Sequence, residues 1–259
     1  MSRVITVRGV EIGAGLPKIA APLMGFTHAE IINRAKDLAE LGLGRQGSPI
    51  DVVEWRADHF ANVCDRQCVV DVLTDLRSAL PHTPLLFTFR SKQEGGEKEI
   101  SPAYYSALNK AAAESGLADL IDVEIFSAAA LARQNIENIH AANALVVASY
   151  HDFLATPPAA EIKARLQKMQ DMGADILKIA VMPTCAADVL TLLSATEEMA
   201  RSAKQPICAI SMSKLGAISR LAAGIFGSAL TFGAVGPPSA PGQIPVEQLA
   251  QTLAIIHNS

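Results

Sequence analysis

The chain has 259 residues, half of them hydrophobic, with a formal net charge of −4 and a pI near 5.9. This length allows one large domain or two small ones, and single α/β barrels reach it routinely. The slightly acidic balance argues against a nucleic-acid partner, which would require a basic surface. Four cysteines are too few for a disulfide framework in a chain this long. We therefore expect reduced thiols and a cytoplasmic location.

Two segments bear on targeting and on membranes. The first eight residues alternate like a strand and lack the apolar core of a signal peptide. Residues 215–236 are apolar enough to resemble a membrane span, but Arg220 and the glycines at 224, 227, 233 and 236 interrupt them. A helix ending near Gly224 and a strand over 228–232 account better for this pattern. We expect a protein that does not enter the membrane.

Short apolar runs alternate with segments of helical periodicity along the chain. A hairpin-like pair of strands at 4–7 and 10–12, turning at Gly9, comes first. Strands are then predicted at 18–24, 50–55, 84–89, 120–125, 144–149, 175–181, 206–211 and 228–232. Helices are predicted at 27–41, 66–80, 103–115, 128–142, 158–172, 186–203, 215–223 and 246–256. Eight strand–helix pairs with short connections predict an α/β fold, a single (β/α)8 TIM barrel over residues 1–259 with an N-terminal β-hairpin. A doubly wound open sheet also alternates, but usually has fewer units.

Residues 42–47, Gly-Leu-Gly-Arg-Gln-Gly, match the G-x-G-x-x-G pattern of dinucleotide-binding proteins. In those proteins the motif follows a strand and opens a helix, whose N-terminus holds the pyrophosphate. Here the motif follows a predicted helix and precedes a predicted strand. We interpret it as a connecting loop and not as a cofactor site.

Lys178 lies in the middle of an apolar, β-branched run that Pro183 ends. Such a run is typical of a strand buried on both faces. Burial disfavours the charged form of lysine and can produce a nucleophilic amine near neutral pH, as Schiff-base enzymes require. The alternative is a lysine whose stem follows the sheet while its ammonium reaches water. This run alone does not decide between the two.

Polar residues end several predicted strands, and in a barrel these carboxyl ends form the catalytic rim. Taken singly, each has a structural alternative: Glu54 and Arg56 could pair with each other, Glu124 could be only a barrel-interior partner for Lys178, and His151 could be a structural histidine. As a set they are hard to explain by packing. The rim gathers Glu54, Arg56, Arg90, Glu94, Asp122, Glu124, His151, Asp152, Lys178, Ser211, Ser213 and Lys214.

This set allows one kind of chemistry in particular. A lysine amine forms an imine with a carbonyl, which acidifies the neighbouring C–H, and a histidine can move that proton to a departing oxygen. Arginines bind carboxylates through paired hydrogen bonds. The residues thus predict elimination or carbon–carbon cleavage on a small, hydroxylated carbonyl compound with a carboxylate. Such a reaction requires neither a metal nor a redox cofactor.

Six segments closely resemble type I 3-dehydroquinate dehydratases, in order and with matching spacing over nearly the whole chain. They are Val-Glu-Trp-Arg-Ala-Asp-His-Phe at 53–60, Phe-Thr-Phe-Arg at 87–90 with Glu-Gly-Gly at 94–96, Ser-Tyr-His-Asp-Phe at 149–153, Lys-Ile-Ala-Val-Met-Pro at 178–183, Ser-Met-Ser-Lys at 211–214 and Ser-Ala-Pro-Gly-Gln at 239–243. The resemblance implies a shikimate-pathway enzyme that converts 3-dehydroquinate to 3-dehydroshikimate by syn elimination. It also implies a homodimer.

The resemblance also implies the roles of individual residues. Lys178 corresponds to the Schiff-base lysine, His151 to the proton-transferring histidine and Glu94 to the carboxylate that supports it. The remaining positions correspond to substrate contacts: Arg220, Ser239 and Gln243 for the substrate carboxylate, Glu54, Arg56 and Arg90 around the ring hydroxyls, and Met212 and Phe232 on the apolar walls. The loop with Ser239 and Gln243 would act as a lid.

One departure and two rival functions accompany this prediction. Pro22 stands where some family members have serine, and it offers neither a hydroxyl nor an N–H. A class I aldolase would share the barrel and the imine, but Met212-Ser213-Lys214 after strand seven lacks an obvious glycine-rich phosphate site. A non-catalytic metabolite-binding barrel would not require both Lys178 and His151. We also expect His59 to be structural.

Overall fold

The computed structural model describes residues 4–41, 49–127, 129–236 and 238–258. The glycine motif at 42–47 lies outside the described residues. The strands are β1 (Ile5–Val7), β2 (Val10–Ile12), β3 (Lys18–Leu23), β4 (Val52–Arg56), β5 (Leu85–Thr88), β6 (Leu120–Glu124), β7 (Leu145–Asp152), β8 (Ile176–Val181), β9 (Ile207–Ser211) and β10 (Leu230–Phe232). The helices are α1 (His28–Glu40), α2 (Arg66–Ala79), α3 (Pro102–Glu114), α4 (Ala129–Ala141), α5 (Ala159–Asp171), α6 (Ala186–Ala200), α7 (Ile218–Leu221) and α8 (Val246–Asn258).

Eight parallel strands form one sheet in the order β10-β3-β4-β5-β6-β7-β8-β9. The last seam closes where the Ala229 N–H donates to the Ile207 carbonyl at 2.7 Å, beside a parallel bridge between Ile207 and Ser228. With the helices between the strands, this arrangement confirms the predicted (β/α)8 barrel. That the whole of residues 1–259 forms a single domain stays a prediction.

The N-terminal hairpin covers one end of the barrel. β1 and β2 pair antiparallel through a two-residue turn in which Arg8 and Gly9 both have positive φ, 47° and 81°. Such a turn matches the twist of the paired strands, so the predicted hairpin is confirmed. Ile5, Val7 and Ile12 pack into the interior of the barrel, on the end opposite the rim.

The alternation of side chains along each strand decides what reaches the barrel interior. In β8, Ile176 and Ala180 belong to the inner cluster, whereas Leu177, Ile179 and Val181 pack outward against the helices. Lys178 shares the inward face with Ile176 and Ala180. In the same way the inward Val52, Leu86, Leu120 and Val147 lie near the strand starts, so the residues two and four positions later face inward at the rim.

The segment after β9 differs from the prediction. A single helix over 215–223 was expected, but α7 has only four residues and a 3₁₀ helix at Ala223–Phe226 follows it. The reason lies in the turn before α7, where a Cβ on Gly216 would come 2.2 Å from the Ser211 carbonyl oxygen. The chain must turn tightly against β9, which prevents an earlier helix start. Within the described residues, no helix is long and apolar enough to cross a membrane.

Candidate active site

The carboxyl ends of the barrel strands surround a pocket of about 520 Å³, counting its open mouth. All eleven side chains that the sequence predicted for the site line this pocket. They are Glu54, Arg56, Arg90, Glu94, His151, Lys178, Met212, Arg220, Phe232, Ser239 and Gln243.

Lys178 lies at the floor of the pocket, with 4% of its surface exposed. Its Nζ is 3.4 Å from Glu54 Oε1 and 3.7 Å from Asp122 Oδ2, and it lies 4.2 Å from the centre of the Phe232 ring. The amine therefore does not reach bulk water along the sheet, as the alternative interpretation required. Thr88 Oγ donates to the same Glu54 oxygen at 3.0 Å, which holds that carboxylate beside the amine.

His151 lies one layer above Lys178, because the register of β7 and β8 pairs Ser149 with Lys178 and His151 with Ala180. Its Nδ1 is 2.9 Å from Glu94 Oε2, and its backbone N–H donates to the same oxygen at 3.1 Å. Glu94 thus contacts the histidine twice and fixes the orientation of the ring. An Nδ1–H tautomer that donates to the carboxylate leaves the Nε2 lone pair to act as a base.

Burial shifts the pKa of both partners. The His151 pKa lies well below its ordinary value, chiefly because burial disfavours the imidazolium, with the nearby positive charges of Arg90, Lys178 and Arg56 adding to the shift. Burial, reinforced by Glu124, raises the pKa of Glu94 to about 8, while Arg90 opposes the rise. Since the two groups share a hydrogen bond, they titrate as a pair.

Two of the three arginines in the pocket are paired with carboxylates. Arg56 donates from Nε and Nη2 to the two oxygens of Asp58, both at 2.8 Å. Arg90 donates to Asp122 at 2.7 Å and to Glu124 at 2.9 Å. The sequence alternatives that paired Glu54 with Arg56, and Glu124 with Lys178 alone, are therefore wrong.

Arg220 is the exception among these arginines. It is 1% exposed, and among the described residues no carboxylate lies within 4.0 Å of its guanidinium. Within the described part of the chain it donates only to the carbonyls of Phe232, at 3.2 Å, and Pro241, at 3.3 Å, and its Nε has no partner there. Burial lowers the pKa of Arg220 to about 10. A buried cation without a counter-ion is a strong site for an anionic ligand.

The loop after β10 brings Ser239 and Gln243 to the pocket mouth. The Ser239 N–H donates to Gln243 Oε1 at 2.8 Å, and Gln243 Nε2 donates to Ser239 Oγ at 3.0 Å. The Ser213 N–H donates to the Pro241 carbonyl at 3.1 Å and ties this loop to the end of β9. The Pro241 carbonyl of this loop therefore accepts from both the Ser213 N–H and Arg220.

Several residues that hold the site were not among the predicted site residues. Asp58, Thr88 and Ser149 were not singled out, and Asp122 was noted at the rim without a role. Ser149 Oγ donates to Asp122 at 2.7 Å and accepts from Arg90 at 2.9 Å, so the three form one buried network. Their positions in the strands could have identified them. Thr88, Asp122 and Ser149 share the inward face of their strands with apolar residues two positions earlier.

Two further expectations concern residues around the pocket. Pro22 does not line it; it lies in a separate groove beside Arg34 and Gly236. His59 does not line it either, and its Nε2 is 3.7 Å from Oδ2 of Asp58, the partner of Arg56. Within the described parts of the chain, no group of three or more His, Cys, Asp and Glu residues could hold a metal ion.

A buried lysine, a histidine–glutamate pair and an unpaired arginine at the carboxyl rim of a (β/α)8 barrel are the features of the Schiff-base class of barrel enzymes. A family model described as type I 3-dehydroquinase matches residues 19–259. The chain belongs to this family.

Individual relatives cover nearly the full length of the chain. A 3-dehydroquinate dehydratase from Salmonella paratyphi B is 48% identical over 258 residues, which are 99% of this chain and 100% of that protein. A type I 3-dehydroquinate dehydratase from Clostridium difficile, solved with covalently modified comenic acid, has a TM-score of 0.93 at 47% identity and covers 100% of this chain and 99% of that chain. The Geobacillus kaustophilus 3-dehydroquinate dehydratase has a TM-score of 0.93 at 35% identity, and the match covers 99% of this chain and 97% of that chain.

Proposed function

We propose that this chain removes water from 3-dehydroquinate to give 3-dehydroshikimate, a step of the shikimate route to aromatic compounds, through an imine on Lys178. Membership of the type I 3-dehydroquinase family supports the reaction. The observation that supports the assignment of residues is their common pocket, whose lining includes the Lys178 amine, the His151 imidazole and the Arg220 guanidinium.

Lys178 supplies the nucleophile. Its uncharged amine attacks the ketone carbon to give a neutral carbinolamine. The carbinolamine hydroxyl takes up a proton from solvent and leaves as water, which gives a protonated imine. Glu54 and Asp122 lie within 4 Å of Nζ and stabilise the positive charge that the imine nitrogen then carries. The Phe232 ring, 4.2 Å from Nζ, lines the apolar side of this position together with Met212.

His151 moves the proton. The protonated imine acidifies the adjacent carbon, and the neutral imidazole removes its proton through Nε2. The resulting enamine expels the hydroxyl, to which the imidazolium returns the same proton, so water leaves and the imine is restored. Glu94 stabilises the transient imidazolium through Nδ1 at 2.9 Å. Hydrolysis of the imine then releases the product and the free amine.

Arg220 anchors the substrate carboxylate. Its guanidinium is buried without a counter-ion, so a carboxylate in the pocket would complete the missing ion pair. Ser239 and Gln243 lie at the same end of the pocket and add hydrogen bonds to that carboxylate when the loop closes. Glu54, Arg56 and Arg90 lie on the remaining walls and contact the ring hydroxyls.

One assay tests the reaction. Purified protein is mixed with 3-dehydroquinate, and the absorbance of the conjugated enone is followed in the ultraviolet. Appearance of the enone supports dehydration. Carbon–carbon cleavage products would instead identify an aldolase, and binding without turnover a metabolite-binding barrel.

A second experiment tests the imine. Borohydride added with 3-dehydroquinate should reduce the imine and attach the ligand permanently, and peptide mapping should locate it on Lys178. Lys214 lies just beyond the end of β9 and serves as an internal control, since it does not line the pocket. An adduct on Lys214, or no adduct during active turnover, would contradict the assignment.

Two broader expectations belong to the same proposal. We propose a homodimer, as the family resemblance implies, which sedimentation or light scattering would test. We also propose a cytoplasmic enzyme, in keeping with the free cysteines at 64, 68, 185 and 208.

A further inference from the structure

Glu94 lines the active-site pocket, and its hydrogen-bond partner Ser127 lines a second cavity. In the pocket, Oε2 of Glu94 faces His151. The second cavity, which we call the side cavity, is lined by Ser91, Tyr105, Glu124 and Ser127 among others. It has a volume of about 620 Å³ with its open mouth, which is ample for several water molecules.

Ser127 links Glu94 to the side cavity. Its Oγ donates to Glu94 Oε1 at 2.9 Å, while Oε2 of the same carboxylate accepts from the His151 N–H and lies against Nδ1. One carboxylate oxygen is thus held by the serine and the other by the histidine. Ser127 itself does not line the active-site pocket, and family motifs gave no reason to select it.

We propose that Ser127 is a positioning residue of the dehydration: its hydroxyl holds Glu94 in the orientation and charge state that poise His151 for proton transfer. This inference rests on the proposed function, because it assigns Ser127 to the pair that moves the proton. Without the hydroxyl, Oε1 would face the side cavity and the carboxylate would be free to rotate away from Nδ1.

Several charged groups surround this pair and set its titration together with Ser127. Arg90 approaches Glu94 from the end of β5, Glu124 and Asp122 act from β6, and Arg165 acts from α5. Arg90 acts on His151 as well, and Lys178 on β8 and Arg56 on β4 act on it too. The Ser127 hydrogen bond favours the ionised carboxylate and so lowers the Glu94 pKa, against the larger effect of burial. Its loss should raise the pH at which the pair releases its proton.

The matched variants are Ser127→Val and Ser127→Thr, which have nearly the same shape and differ in the hydroxyl. Serine to alanine alone is less decisive, because a water from the side cavity could replace the lost donor. Ser91→Ala is the control: Ser91 lines the side cavity, and its Oγ has no hydrogen-bond partner among the described residues. Its only hydrogen bond with Glu94 in that part of the chain is through its backbone carbonyl, which accepts the Glu94 N–H at 3.0 Å and is kept in the variant.

The decisive measurement is the pH titration of the His151 ring by NMR in protein with labelled histidine, assigned by its loss in His151→Ala. In Ser127→Val the transition of the pair should move up by about one pH unit, since a hydrogen bond to a charged group is being removed. Ser127→Thr and Ser91→Ala should titrate like the wild type. The low-pH limb of kcat/KM, which reports loss of the proton from the base, should move in the same direction in Ser127→Val.

The outcomes separate the two proposals. An unshifted titration in Ser127→Val, or an equal shift in Ser91→Ala, would overturn the role of Ser127. If Ser127→Val does not fold, Ser127→Ala replaces it, with a smaller shift expected in the same direction. A wild-type protein without dehydratase activity would refute the proposed function, yet the NMR titration would still decide this inference, since it requires no substrate.

Discussion

Nδ1 of His151 lies 2.9 Å from Oε2 of Glu94, and the same oxygen accepts the His151 backbone N–H at 3.1 Å. The two residues are far apart in sequence, on β7 and on the 3₁₀ turn Lys92–Glu94 after β5. The carboxylate therefore fixes the ring and its tautomer at once. Buried orienting partners of this kind determine which ring nitrogen is available as a base.

Replacing His151 by alanine should reduce kcat by about 10²- to 10⁴-fold, the usual contribution of a positioned general base. The imine on Lys178 should still form, so borohydride trapping should continue to label that residue. Steady-state kinetics and peptide mapping give the two readouts. His28→Ala is the control, because His28 is an exposed residue paired with Asp75, outside the pocket. A His151→Ala enzyme with near-normal turnover would remove the assigned role.

Replacing Glu94 by glutamine should lower kcat by about 10- to 100-fold, since it keeps the shape but loses the charge that stabilises the imidazolium. KM should change less, because Glu94 supports the base and not the substrate carboxylate. Rates and KM measured with 3-dehydroquinate test this. Unchanged kcat with a raised KM would instead place Glu94 in substrate binding.

The raised pKa of Glu94 predicts how stability depends on pH. Its value is about 8 in the folded protein, against 4.5 in the unfolded chain. A raised pKa contributes stability that is present below pH 4.5 and lost as the pH rises through 8. Because the His151 pKa is lowered, its titration changes the free energy of unfolding only below about pH 6.5. Between pH 6.5 and 8.5 the pH dependence of this free energy therefore reports on Glu94.

Across this window, the wild type should lose about 2 kcal/mol of unfolding free energy relative to Glu94→Gln, at about 1.4 kcal/mol per pKa unit. Urea unfolding of both proteins at several pH values measures the difference. Parallel pH dependences for the two proteins would show that the carboxyl titrates normally.

Arg220→Met should have opposite effects on binding and on stability. It removes a buried cation that has no carboxylate partner among the described residues, so the free energy of unfolding of the ligand-free protein should rise by an amount on the order of 1 kcal/mol. Binding of 3-dehydroquinate should weaken by at least 10²-fold, since a buried charge-assisted contact is worth about 3 kcal/mol or more. Calorimetry measures the change in stability, and KM measures the change in substrate binding.

Arg90→Met is the matched comparison. It leaves Glu124 without its cation and Asp122 with only Lys178, at 3.7 Å, so it should destabilise the protein by about 3–5 kcal/mol. If both variants destabilise the protein equally, Arg220 is not the uncompensated charge that we describe.

Gly242→Ala should displace the loop that carries Ser239 and Gln243. Gly242 has φ +78°, and an added Cβ would come 2.2 Å from the Ser213 carbonyl oxygen, against which this loop packs. We expect kcat/KM to fall by about tenfold or more, since backbone strain of 1–3 kcal/mol must be relieved by moving the loop. Gly236→Ala is the control, with φ +70° in the same loop but nothing within 4 Å of the new Cβ. Equal losses of kcat/KM in the two variants would argue against specific packing of this loop on Ser213.

The barrel and most of its element boundaries could be predicted from the chain alone, because hydrophobic periodicity and local signals act over few residues. Thr27 illustrates this: its side chain accepts the Glu30 N–H and Glu30 accepts in return, a capping box that starts α1 where the sequence predicted. The short α7 could not be predicted, since it depends on the close approach of Gly216 to β9.

For the site, the sequence by itself determined which side chains reach the rim, because strand alternation and the common polarity of parallel strands leave little choice. Only the tertiary structure decided how those charges pair. Arg56 pairs with Asp58, and Arg90 pairs with Asp122 and Glu124. Among the described residues, Arg220 has no carboxylate partner. The physical reason is that ion pairing depends on distances of a few ångströms between strands remote in sequence, and no local pattern encodes these.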